Sequence, residues 1–131
     1  MYSTLLVNSF TEFIKAEAGL TAGVNSNPRV ALENGMRDSF EKVITFNGID
    51  EITPIVQTNI DDYVDFVLAA YDAGDNSEKL EVIAKEYYIA LFGNGLEAYN
   101  LYRRTGKPSN MQPSRSPSPG SFYRSAYYPS N

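Results

Sequence analysis

Glu17 falls within an apolar helical arc and Glu97 within an aromatic helix, so these are the two carboxylates that could be held across a cleft for glycosidic chemistry. That chemistry needs two acids roughly 5 to 10 Å apart, one of them with a raised pKa. A simpler use competes with it. Arg103 and Arg104 follow Glu97 by six and seven positions, and a guanidinium fork is an economical partner for a carboxylate near a core. The ion-pair reading is preferred to catalysis. It predicts that at least one of Arg103 and Arg104 is buried and binds Glu17, Glu97 or carbonyls of the C-terminal segment, clamping that segment to the body. Tyr99 and Arg103 stand at i and i+4 on the same helix, where the guanidinium can lie on the phenol ring for roughly 0.5 to 1 kcal/mol.

Three further constellations have chemical readings that their surroundings oppose. Gly93-Asn94-Gly95-Leu96-Glu97-Ala98 fits G-x-G-x-x-G/A after the apolar run YYIALF. A dinucleotide site, however, also needs a preceding strand, a second strand after the helix and an acid about 20 residues on, and no Asp or Glu follows Glu97. The glycines read instead as a kink or end of a helix, where another backbone can approach closely. Asp72 to Glu78, DAGDNSE, holds three acids, but Ala73 and Gly74 stand where calcium ligands would alternate. A turn with capping acids is the preferred reading. Asp61, Asp62 and Asp65 make an acidic face that suits solvation, with calcium or a basic partner as the functional alternative.

Composition narrows the field further. The 131 residues include no Cys and no His, so there is no disulfide, thiolate or cysteine–histidine metal site, and the commonest general base is missing. No catalytic residue, cofactor or metal site is assigned. Eleven Lys and Arg against 16 Asp and Glu give a net charge of −5, which opposes binding to a phosphate backbone. Nucleic acid is not an expected partner. All the acids lie before residue 98, whereas residues 105–131 carry only the bases Lys107, Arg115 and Arg124. Ten Tyr and seven Phe without Trp make both core and surface rich in phenyl rings. No apolar run reaches the 18 or so residues of a membrane helix, and MYSTLLVNSFTEF has neither the basic region nor the small-residue cleavage site of a signal peptide.

The elements that must position these residues are helices. Ser9-Phe10-Thr11-Glu12 has the form of a capping box, followed by Phe10, Phe13, Ile14 and Ala18 on one face, with Gly19 and Gly23 closing the segment. Asn25-Ser26-Asn27-Pro28 offers a cap with proline at the first helical position, and Leu32, Met36, Phe40, Val43 and Ile44 continue at helical spacing. Asn47-Gly48 and Pro54 mark a loop. Thr58 or Asn59 caps the next stripe, Ile60, Tyr63, Val64, Val67, Leu68 and Tyr71. Asp75 or Ser77 restarts the chain into Leu80, Ile83, Ala84, Tyr87, Tyr88 and Leu91, and Leu96, Tyr99 and Leu101 lead to a stop at Gly106-Lys107-Pro108. The expectation is an all-α body of about five helices over residues 1–108. Residues 109–131 form a Pro/Ser-rich segment that folds back to bury Phe122, Tyr123, Tyr127 and Tyr128.

Two runs near the end, EYYIALFGNGLEAYNLYRRTGKP (86–108) and GSFYRSAYYP (120–129), resemble the C-terminal signature of the SusD/RagB family. SFTEFIKAEAGLTAG (9–23) and ALENGMRDSFEKV (31–43) are similar to the same branch in the same order. The resemblance assigns Glu17, Glu97, Arg103, Arg104, Gly106, Pro108, Tyr128 and Pro129 to a structural family motif. It implies a helical domain containing tetratricopeptide-like helix pairs. It also implies a non-enzymatic, surface-exposed nutrient-binding lipoprotein of the outer membrane, which passes oligosaccharide or peptide to a SusC-like TonB-dependent transporter. Family members are several times longer and carry a lipidated cysteine, so the chain is expected to be a C-terminal piece whose membrane contact would come through an anchor lying elsewhere. A free-standing helical interaction module is the alternative.

Overall fold

The structure, a computed structural model, describes residues 8–45 and 56–112. Among the described residues there are five helices and no strand: α1 (Asn8–Thr21), α2 (Pro28–Ile44), α3 (Gln57–Ala73), α4 (Asn76–Ala90) and α5 (Gly95–Thr105). The expected all-α architecture is the observed one. The loop marked by Asn47-Gly48 and Pro54 lies outside the described residues, as do Tyr128 and Pro129.

Local chemistry starts and stops most of these helices. The Asn27 side chain accepts hydrogen bonds from the Arg29 and Val30 amides, with Pro28 at the position where no N–H is needed. Asp75 accepts from the Ser77 and Glu78 amides at 2.8 and 2.9 Å while the Glu78 carboxylate takes the Asp75 N–H, a complete capping box. Gly106 ends α5 in the left-handed conformation (φ 67°), where a side chain would be strained.

Two expected starts are corrected. Ser9 is not a cap: α1 has already begun at Asn8, so Ser9 turns inward and is buried, and Glu12 binds Lys15 instead of reaching back. Neither Thr58 nor Asn59 caps α3, which opens at Gln57 after Val56 without a side-chain cap. There the Gln57 amide bonds Asp61 one turn on, at 3.2 Å. Gly19 does not close α1 either but lies inside it. A Cβ on Gly19 would come within 2.5 Å of Ser26 Oγ, because the α1–α2 turn folds back over this position.

α4 is the hub, packing against α1, α2, α3 and α5, while the most extensive helix–helix contact is that of α1 with α2. The core joins Phe10, Phe13, Leu32, Met36, Val64, Leu68, Ile83, Tyr87 and Leu91 into one cluster. Phe13 stacks on Tyr87 at 5.3 Å between ring centroids, and Phe10 meets the same ring at 5.9 Å. The stripe of α3 is nearly as the spacing gave it, with Tyr63 only half-buried. On α1, Ala16 is buried and Ile14 exposed, the reverse of what the expected arc requires. Val43, Ile44 and Leu96 are also exposed, and on α5 the buried residue is Leu101.

Candidate functional site

α1 and α5 are tied together at the surface by Arg104. Its Nε and Nη2 donate to the two oxygens of Glu17 at 3.1 and 2.6 Å, a bidentate fork between residues at opposite ends of the described chain. The pairing expected for Glu17 is therefore present, but the expected burial is not. Arg103 and Arg104 are both exposed, since the last turn of α5 ends at the surface rather than under other elements. Glu97 sits in the first turn of α5, where its amide donates to the Asn94 side chain and its carboxylate accepts from Asn100. Both Glu17 oxygens are engaged by the guanidinium. Burial pushes the nearby Tyr87 phenol up, and the Glu97 charge adds to this.

Beyond Gly106 the chain returns to α4. Lys107 Nζ lies 2.8 Å from Glu81 Oε2, the Ser109 amide donates to Glu81 Oε1 at 2.7 Å, and Pro108 is buried between them. Burial pushes the Glu81 carboxyl up, but Lys107 and Ser109 outweigh it and hold the group below its ordinary range. A lowered folded pKa means that this stabilisation is present at neutral pH and is lost as pH falls through the folded value. Glu81→Ala should thus cost about 1 to 2 kcal/mol at pH 7 and progressively less under acid, read as the difference between two melting curves followed through pH 3. By contrast, Arg104→Ala should cost no more than about 1 kcal/mol, as for an exposed ion pair, and Arg103→Ala should stay within about 0.5 kcal/mol.

The other constellations resolve into structure. Gly93-Asn94-Gly95 is the turn between α4 and α5, preceded by a helix and not by a strand, so the dinucleotide reading fails on geometry. Asp75 and Glu78 cap α4, and Asp72 takes the Arg29 guanidinium at 2.9 and 3.0 Å. Asp61 is not merely solvated: it receives Arg37 of α2 at 2.7 Å, and this bond, followed by that from Gln57, holds its carboxyl below the usual range. Among the described residues, no group of acids is arranged to hold a metal ion.

One feature escaped the sequence reading. Glu86 is almost fully buried and accepts a hydrogen bond from the Tyr63 hydroxyl at 2.8 Å. Burial pushes its carboxyl up, against the smaller opposing effects of Tyr63 and Lys85. The signal was available: Glu86 lies three residues after Ile83 and four before Ala90, on their buried face. The pair lines an apolar groove of about 1210 Å³ walled by α2, α3, α4 and the α4–α5 turn, with Met36, Phe40, Val43, Ile89 and Phe92 at its sides. Phe92 is 94% exposed there.

Residues 2–128 match the family model described as SusD-like, the SusD and RagB outer membrane lipoproteins. The chain belongs to the SusD-like family. No curated protein and no solved structure matches it. In this SusD-like chain the run Arg103–Pro108 is a helix end fastened at two points, Arg104 to α1 and Lys107 to α4. Among the described residues no helix is long and apolar enough to cross a membrane.

Proposed function

We propose that this chain is part of a cell-surface nutrient-binding lipoprotein that captures oligosaccharide or peptide and delivers it to a SusC-like TonB-dependent transporter. The observation that carries the reading is membership of the SusD-like family over nearly the whole chain. Binding proteins of this kind work by stacking sugar rings or side chains on aromatic faces and by hydrogen bonding, and the ten Tyr and seven Phe supply such faces. On this reading the protein sits at the outer membrane through a lipid anchor and does no covalent chemistry.

Detergent extraction of the tagged full-length protein, followed by affinity capture at low salt, should recover a TonB-dependent barrel. Capture of the bait alone would count against the transporter partnership. Release of reducing sugar from polysaccharide by the same purified protein would overturn the non-enzymatic reading.

A further inference from the structure

The groove described above is a poor surface to leave in water. Its walls are apolar, Ile89 and Phe92 stand exposed at its rim, and Glu86 is buried with Tyr63 as its hydrogen-bond donor and no ion pair among the described residues. A buried carboxylate with so little compensation favours a cation beside it. We propose that the groove is the docking site of the chain's own C-terminal segment, residues 113–131, with its aromatic side chains filling the apolar walls and Arg115 or Arg124 reaching Glu86.

Three observations select this occupant. Residues 113–131 carry Phe122, Tyr123, Tyr127 and Tyr128, two arginines and no acid, which complements an apolar groove whose lining holds a buried carboxylate, Glu86, with Lys42 as its charged companion. The other parts of the chain outside the described residues do not. Residues 46–55 bring Asp50 and Glu51 and no basic side chain, and residues 1–7 have no charged side chain at all. The path is also short. The described chain leaves α5 already fastened to α4 through Lys107 and Ser109 at Glu81, about 8 Å along the helix axis from Glu86 at the usual rise per residue. The remaining residues could extend roughly 60 Å, so the reach is ample. A docked segment would occupy the groove, and nutrient would then have to be held on another surface.

Photo-crosslinking tests this on the intact 131-residue chain. Ile89 is replaced by p-benzoylphenylalanine, and Phe66, exposed on α3, is replaced likewise as a control. After irradiation, mass spectrometry of the monomer should place most Ile89-site crosslinks within residues 113–131 and few of those from the Phe66 site. Arg115→Gln with Arg124→Gln should lower the yield several-fold, Glu86→Gln should do the same, and the combined variant should lose little more than either. Crosslinks from the Ile89 site to residues 46–55, to a second copy of the chain, or to nothing beyond solvent would overturn the proposal. Yields indifferent to the arginines and to Glu86 would overturn its electrostatic part, with circular dichroism of each variant confirming that the helices are retained.

Discussion

Phe13→Ala should destabilise the chain by about 3 to 5 kcal/mol, the range for removing a fully buried aromatic ring. Phe13 has no exposed surface, lies against the face of Tyr87 at an interplanar angle of 15°, and fills the space left by the missing side chain of Gly35 on α2. Its removal therefore opens a cavity where α1, α2 and α4 meet. It also forfeits a stacked pair worth roughly 0.5 to 1.5 kcal/mol beyond its buried area. Urea unfolding should show a lower midpoint with an unchanged slope, the mark of lost stability rather than a changed unfolded state. Phe66→Ala, at a ring 70% exposed, should stay within about 0.5 kcal/mol. A loss below about 1.5 kcal/mol for Phe13→Ala would mean that the three helices do not close on this ring in solution.

Tyr63→Phe should cost about 1 to 3 kcal/mol, because it strips a hydrogen-bond donor from a buried carboxyl while leaving the carboxyl in place. The phenyl ring itself is retained, and with it the edge-to-face contact with Phe40 at 5.7 Å between centroids. The loss would therefore report the hydroxyl alone. Glu86→Gln keeps an acceptor for Tyr63 and removes the charge, so Tyr63→Phe should cost measurably less in that background. A double-mutant cycle with a coupling of about 0.5 kcal/mol or more would show the direct interaction. Additive effects would show that the 2.8 Å bond is not formed in solution.

The stripe of α3 and the starts of α2 and α4 were legible because each rests on contacts within a few residues. Asn27 before Pro28, Asp75 before Glu78, and apolar residues recurring every three or four positions need no knowledge of what lies across the fold. The same holds for the stop at Gly106, where a left-handed residue is required by the helix end itself. The ordered runs from residue 9 to residue 129 also carried the family, which the match over residues 2–128 shows.

Tertiary structure decided what the two pairs of carboxylate and partner do. The spacing of Arg103 and Arg104 was compatible with either binding an acid, and only the placement of α5 beside α1 selected Arg104 for Glu17 and left both guanidinium groups exposed. Glu86 sat in plain view on the buried face of α4, but a carboxylate there is tolerable only once Tyr63, twenty-three positions earlier on α3, supplies its hydroxyl. Ser9 had the pattern of a cap but lies inside α1 and is buried with Phe10 and Phe13. Local sequence thus determined where most helices form, since the groups that nucleate and end a helix are neighbours in the chain. Which polar side chains are buried, paired or left at the surface was settled by the packing of helices distant in sequence, because the cost of burying a charge depends on partners that only the fold brings within reach.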